Sequence, residues 1–192
     1  MAFAPRRAVE VGCGPGDFAA RLQAADVAVI AVDQSAQMVE LARGRGVDAR
    51  VGDVQALAFA DDAFDVAVAN FVLYHVPDLD RGLAELARVA PRLVAATNGY
   101  DQLREMWDLV GRDLGDRRTI FMRETGEALL HAHYDDVRLI DLPATVEMSA
   151  DDMRHYIANS VRHRRLAARV PEFEGTRTIT ASTAVFVASR VR

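Results

Sequence analysis

Residues Val9–Asp17 read V-E-V-G-C-G-P-G-D, and the three glycines in this run are the feature best suited to chemistry. Glycines at 12, 14 and 16 let the backbone turn tightly and let a ligand approach without a Cβ in the way. A short apolar run, Ala8–Val11, comes before the loop, and a helical pattern starts at Asp17. The loop therefore opens onto a helix N-terminus, whose free N–H groups and positive dipole end favour a phosphate or a carboxylate. Asp33 ends the second apolar run, 21 residues after Gly12. An acid at that place can accept hydrogen bonds from two ribose hydroxyls.

The spacing narrows the choice of nucleotide cofactor. A dinucleotide fingerprint reads G-x-G-x-x-G. Here the third glycine comes one residue early, at Gly16, and Asp17 occupies the place of the glycine. An acid on the first helical turn repels a pyrophosphate, and Glu10, two residues before Gly12, adds a second negative charge. Both carboxylates suit a cofactor that carries positive charge. S-adenosylmethionine has a sulfonium, an ammonium, one carboxylate and a ribose. Composition removes other chemistries. All 23 basic residues are Arg, so a P-loop lysine, a Schiff-base lysine and a Tyr-x-x-x-Lys dehydrogenase pair are excluded.

Positioning this loop requires alternating strands and helices. Ala8–Val11, Val27–Val32, Asp48–Val51, Asp65–Asn70 and Arg92–Thr97 read as strands, with helices over Asp17–Ala25, Ser35–Arg45 and Asp80–Val89. That rhythm predicts βαβ units and a mostly parallel sheet covered on both faces. After residue 100 the pattern changes. Helices are expected over Tyr100–Leu114, with Leu103, Met106, Trp107, Val110 and Leu114 on one side, and over Glu127–Tyr134. Val137–Leu142 and Thr183–Arg190 read as the last two strands. Between them, Ser149 begins a capping-box pattern that predicts a helix to about Arg169, inside an excursion spanning 143–178.

Four motifs in order resemble the class I S-adenosylmethionine-dependent methyltransferases, small-molecule branch, between about Arg7 and Gly99. They are V-E-V-G-C-G-P-G, then V-D-Q-S-A-Q-M at 32–38, G-D-V-Q-A-L-A-F-A-D-D-A-F-D at 52–65, and V-A-N-F-V-L-Y-H-V at 68–76. The resemblance implies an α/β Rossmann-like methyltransferase fold with a seven-stranded, mostly parallel sheet, helices on both faces and a helical insertion before the last strand. It also implies roles. Gly12, Cys13 and Gly14, with Gly16, would wrap the methionine end of the cofactor, and Glu10 would orient that loop near the ammonium. Asp33 would hold the ribose hydroxyls, with Gln34 and Met38 flanking the adenine. Asp53 would accept from the adenine amino group beside the backbone N–H of Val54. Asn70 would face the methionine ammonium, and Phe71 and His75 would stand near the methyl group.

The expected activity is methyl transfer from S-adenosylmethionine to an oxygen or nitrogen of a small-molecule acceptor. Methyl transfer is an in-line displacement that mainly needs alignment, so a base is required only for an O–H or protonated-nitrogen acceptor. His75 and Tyr74 are the catalytic candidates; the plain alternatives are a histidine packed by the Pro77 loop and a half-buried ring. Tyr100, Trp107, His155 and Tyr156 lie in the half, 100–192, expected to build the acceptor pocket around one domain whose residues 7–99 hold the cofactor. Cys13 reads as a turn residue. His131 and His133 read as surface residues, with no metal site expected. The run Arg162-His163-Arg164-Arg165 is a solvated helix face or a surface for an acidic substrate or carrier.

With 28 acidic residues the formal charge is −5, which argues against a nucleic-acid partner. No apolar run reaches membrane-span length, the start is too polar for a signal peptide, and the single cysteine forbids an internal disulfide; a cytoplasmic location is expected. Eight residues precede Val9, where the resemblance implies a longer helical lid, so either the start is misplaced or the chain is a truncated or divergent form with an open cofactor site. Two rival readings are a non-catalytic or partner-dependent binding relative without that lid, and a nicotinamide-dependent oxidoreductase, which Glu10 and the early Gly16 oppose.

Overall fold

The computed structural model describes residues 4–112, 120–160 and 163–191. Seven strands form one sheet: β1 (Arg7–Val11), β2 (Ala28–Asp33), β3 (Asp48–Val51), β4 (Val66–Asn70), β5 (Arg92–Asn98), β6 (Asp136–Met148) and β7 (Arg177–Ser189). Their order is β3-β2-β1-β4-β5-β7-β6. The first five strands are parallel, and β7 runs antiparallel to both β5 and β6. The chain moves outward from β1 to β3, then crosses back to lay β4 on the other side of β1. The carboxyl ends of β1 and β4 thus border the point where strand order reverses, the place where open α/β sheets bind ligands.

Alternating side chains explain why the sheet is covered on both faces. Val9, Val11, Val32, Ala67, Ala69, Leu93 and Phe186 point into one core, with Leu83 and Leu86 of α3 (Leu79–Val89) and Leu130 of α5 (Gly126–Leu130). Ala8, Val29, Ala31 and Val66 point into the other, with Ala19 of α1 (Asp17–Ala24) and Val39 and Ala42 of α2 (Ala36–Gly44). A third core lies beyond the sheet proper. There Leu103, Met106 and Trp107 pack against Met148, Met153, Ile157 and Ile179, bringing together α4 (Arg104–Leu109), α6 (Ala150–Ala158) and the far ends of β6 and β7.

That third core corrects the expected boundaries. β5 ends at Asn98 opposite Thr183, but β7 begins at Arg177 and pairs with β6 as far as Met148. The hairpin therefore continues past the carboxyl ends of the parallel strands, and the excursion between the last strands runs over 149–176 rather than 143–178. The expected long helix at 100–114 is reduced to α4, because Leu103 takes a left-handed φ of 55° just before it and Gly111 one of 64° after it. The helix expected at 127–134 stops at Leu130. Ser149 does cap α6, accepting from the Asp152 amide at 3.2 Å while Asp152 Oδ2 accepts from the Ser149 amide at 2.9 Å. However, α6 ends at Ala158, and a separate 3-10 segment covers Arg164–Arg169. Leu114 and Arg162 lie outside the described residues. No helix among the described residues is long and apolar enough to cross a membrane.

Candidate functional site

The glycine loop is fastened to the end of β2. The amides of Gly12 and Cys13 donate to the carbonyl of Val32 at 2.8 and 3.2 Å. Gly12 has a φ of 65°, and a Cβ there would collide with the side chain of Val72, so only glycine lets the loop lie this close to the segment after β4. Gly16, with a φ of 83°, serves a different purpose: a Cβ on it would sit 2.8 Å from the Cβ of Ala42, so its bareness lets α1 start against α2. Asp33 spans the gap between these parts. Its Oδ2 accepts from the Gly14 amide at 2.9 Å and its Oδ1 from the Ser35 amide at 2.8 Å. A carboxylate has about four acceptor positions, so roughly two remain for a ligand.

The end of β3 adds a second acid. Asp53 Oδ1 accepts from the amide of Gln55 at 2.9 Å, and both carboxylate oxygens lie 3.0 Å from its side-chain amide nitrogen. Those bonds lower the Asp53 carboxyl below the usual range, so it is charged at neutral pH. Gln55 then accepts from the Asp78 amide at 2.9 Å, linking this turn to the start of α3. Gln55 carries no role in the sequence motifs; its position two residues after an acid, where an Asx turn closes, is the signal that points to it.

After β4 the backbone is strained. Phe71 has a φ of 55°, unusual for a bulky residue, while its amide donates to the Ala96 carbonyl at 2.9 Å and its ring stays 43% exposed. A 3-10 turn over Leu73–His75 follows, anchored by buried Leu73. Its neighbours diverge: His75 faces the cleft, whereas the hydroxyl of half-buried Tyr74 senses Tyr156 of α6. Burial foremost, and Tyr156 after it, push the Tyr74 phenol above its ordinary value.

These parts meet in one cleft of about 640 Å³ at the carboxyl ends of β1 to β4. Gly12, Asp33, Gln34, Asp53, Val54, Phe71 and His75 line it, joined by Val11, Val32, Gly52, Gln55, Val72, Val76 and Pro77. Cys13, Gly14, Gly16, Met38, Asn70, Glu10 and Tyr74 are not in its lining. Cys13 is buried, and burial, followed by the charges of Asp33 and Glu10, pushes its thiol up to about 12, which leaves it inert as a nucleophile. Met38 lies in the first turn of α2, where its amide donates to the Ser35 hydroxyl at 3.4 Å.

Glu10 is the main electrostatic anomaly. It lies on the α1 side of the sheet and is only 2% exposed. Desolvation raises its carboxyl to about 7, partly offset by hydrogen bonds from the Ala19 amide and the Asn70 side chain. Its Oε2 has no partner at all. A buried acceptor left orphaned is costly, and a cationic ligand at the loop is the kind of group that relieves it.

Among the rings the sequence singles out, those of Tyr74 and His75 lie 4.5 Å apart, those of Trp107 and Tyr156 6.3 Å, and those of Trp107 and His163 5.5 Å. His131 is exposed, and His133 Nε2 lies 2.9 Å from Asp80 Oδ1. No cluster of His, Cys, Asp and Glu able to hold a metal occurs among the described residues.

Known proteins share both the motifs and the fold. Residues 9–92 match the methyltransferase domain family. The chain is 51% identical over 76 residues to a trans-aconitate 2-methyltransferase of Mycolicibacterium gilvum, covering 38% of this chain and 29% of that protein. It is 30% identical over 149 residues to a malonyl-[acyl-carrier protein] O-methyltransferase of Legionella pneumophila, covering 71% of this chain and 52% of that protein. The chain thus spans about half or less of the length of these relatives. A crystal structure of a putative methyltransferase from Bacillus halodurans superposes with a TM-score of 0.70 at 15% identity, over 100% of this chain and 95% of that one. One from Thermotoga maritima, described as a possible histamine N-methyltransferase, gives 0.66 at 20% identity, over 100% and 84%. The order of the strands, the glycine loop tied to Asp33 and the agreement of residues 9–92 with the domain family converge: residues 9–92 carry a methyltransferase domain, and the chain has the Rossmann-like fold of the S-adenosylmethionine-dependent methyltransferases.

Proposed function

We propose that the chain transfers the methyl group of S-adenosylmethionine to an oxygen or nitrogen of a small-molecule acceptor, with residues 7–99 holding the cofactor and 100–192 shaping the acceptor side. One observation carries this reading: Gly12, Asp33, Asp53, Phe71 and His75, drawn from four strand ends, line a single cleft of about 640 Å³. That volume lies within the roughly 300–1,000 Å³ usual for cofactor sites.

The residues fit a cation-bearing nucleoside. Bare backbone at Gly12 forms a cradle that a Cβ would fill, and the orphaned Glu10 Oε2 suits a nearby positive charge. Asp33 has acceptor positions left for ribose hydroxyls, and charged Asp53 can take an adenine amino group. When bound, S-adenosylmethionine supplies a methyl group on a positively charged sulfur. The chain's own contribution is placement: Phe71 is held by its strained backbone at the cleft, and His75 stands at the rim, where it can accept a proton from an O–H acceptor. Such placement supplies on the order of 7–11 kcal/mol of barrier lowering.

The two relatives are named for trans-aconitate and for a malonyl-carrier, both carboxylates, which makes carboxylic acids the first acceptors to test. The decisive experiment is calorimetry with S-adenosylhomocysteine, followed by transfer of a labelled methyl group. Saturable micromolar binding is expected; no heat at millimolar ligand sinks the reading. Titration with NADH, followed through Trp107 emission, tests the oxidoreductase alternative, and no response is expected.

A further inference from the structure

The two acids that line the cleft, Asp33 and Asp53, are held in different ways. Asp33 accepts from the amides of Gly14 and Ser35, main-chain donors that cannot leave without unravelling their loops. Asp53 accepts from the main-chain amide of Gln55 at 2.9 Å and also from the Gln55 side chain, whose Nε2 lies 3.0 Å from both Oδ1 and Oδ2. That nitrogen bridges the two oxygens of the carboxylate. The other end of the carboxamide fixes its orientation. Oε1 receives the Asp78 amide at 2.9 Å, and a main-chain N–H can only donate. The amino end therefore faces Asp53, and Gln55 presents to it the same kind of donor as the exocyclic amino group of a base.

Gln55 also stands between two cavities. It lines the cleft of about 640 Å³, and it lines a shallower hollow of about 380 Å³ with Ala56, Leu57, Arg81, Ala84 and Glu85. The side chain is half-buried, and its rotation leaves the main chain where it is. Such a rotation gives up little. Asp53 keeps the main-chain amide of Gln55, and Asp78 is exposed, so water replaces the acceptor that its amide loses. The start of α3 keeps its cap as well, because Asp78 Oδ1 accepts from the Arg81 amide at 3.1 Å.

We infer that Gln55 is an internal competitor for the base of the cofactor: its carboxamide occupies Asp53 in place of an adenine amino group and turns out toward the hollow beside α3 when the adenine enters. This rests on the methyl-transfer reading above and concerns the regulation of the same site. Between turnovers Gln55 keeps the charged Asp53 partnered. S-adenosylmethionine and S-adenosylhomocysteine carry the same adenine, so the competition lowers the affinity for both by one factor and hastens departure of the spent cofactor. A Gln55 that merely supported Asp53 would act in the opposite direction, because its loss would then weaken binding.

Q55M keeps the length of the side chain and removes both ends of its amide, and Q55A removes the side chain beyond Cβ. Calorimetry with S-adenosylhomocysteine should show binding tighter than in the unaltered protein by about three- to tenfold in both variants, the size of one net hydrogen bond. In a D53A background, Q55M should leave the affinity unchanged. A second measurement needs no cofactor. In the free protein the main-chain and side-chain bonds from Gln55, with a smaller contribution from the charge of Arg81, hold the Asp53 carboxyl below its ordinary value against a slight opposing effect of burial. Carbon-13 NMR of the Asp53 carboxyl across acid pH should show that value rise in Q55M. Binding by the unaltered protein with equal or weaker binding in Q55M and Q55A, a gain that persists in D53A, or an unmoved Asp53 titration overturns the inference alone. Absence of binding by the unaltered protein and by both variants overturns the proposed function, and the inference with it.

Discussion

The amide of Gly14 donates to Oδ2 of Asp33 at 2.9 Å, and that bond ties the loop after β1 to the end of β2 across 19 residues of chain. The same carboxylate holds the Ser35 amide, so one side chain orders both the glycine loop and the start of α2. Hydrogen bonds to a charged acceptor are worth about 1.5–3 kcal/mol each. D33A should therefore lower stability in urea by about 2 kcal/mol or more and weaken S-adenosylhomocysteine binding more than tenfold. D33N keeps one acceptor oxygen and should fall between the two proteins. Unchanged binding by D33A would separate the loop's order from cofactor recognition.

Glu10 predicts a pH dependence with a definite sign. Its folded value of about 7 lies above the ordinary 4.5, so the native state holds a proton that the unfolded chain has lost. Stability is then full below about pH 4.5 and declines as pH rises to about 7, by about 3 kcal/mol in total. Urea titrations across that range should show the decline, and E10Q should remove it. Binding of a cationic cofactor favours the charged carboxylate, so calorimetry near pH 7 in buffers of different ionisation enthalpy should detect proton release, absent in E10Q.

Gly12 offers a steric test. An alanine there must keep a φ of 65° and move the Val72 side chain. The backbone cost alone is about 1–3 kcal/mol. G12A should lower the melting temperature and abolish S-adenosylhomocysteine binding at micromolar ligand, whereas G12A with V72A should regain part of the stability because the collision is relieved.

His75 separates two kinds of acceptor. A general base contributes about 10²–10⁴-fold to the rate. If the acceptor is a carboxylate, H75Q should reduce kcat less than tenfold and leave the pH profile unchanged above pH 6. A loss beyond a hundredfold would identify an acceptor that must give up a proton.

The first half of the chain was legible because its signals are local. The glycine spacing, Asp33 at the end of an apolar run and the alternation of Val9, Val11 and Val32 each follow from residues next to one another, and the structure brings Gly12, Asp33, Asp53 and Phe71 to one cleft. Glu10 was only half legible: its acidic type could be read, but not the burial that raises its carboxyl to about 7 and leaves Oε2 without a partner. The extension of β6 and β7 was hidden for a different reason. Residues 143–148 and 177–182 pair chiefly with each other, beyond the reach of β5, and of them only Met148, Ile179 and Ser182 are buried, so no continuous apolar pattern marks them. Tyr74 and His75 look interchangeable in sequence, and only the 3-10 turn sends one toward α6 and the other into the cleft.

The thirteen-residue β6 pairs with β7 alone, and Leu139, Ile140, Leu142 and Val146 on it are exposed. Its outer rim is a row of main-chain donors and acceptors that another chain could zip onto, the usual starting point of fibrous assembly. Pro143 breaks that row near its middle by removing one donor, and Asp136, Arg138, Asp141 and Glu147 place charge along it. The same long hairpin that runs past the parallel strands thus demands its own guard against self-association, and a single imino acid with four charged neighbours supplies it.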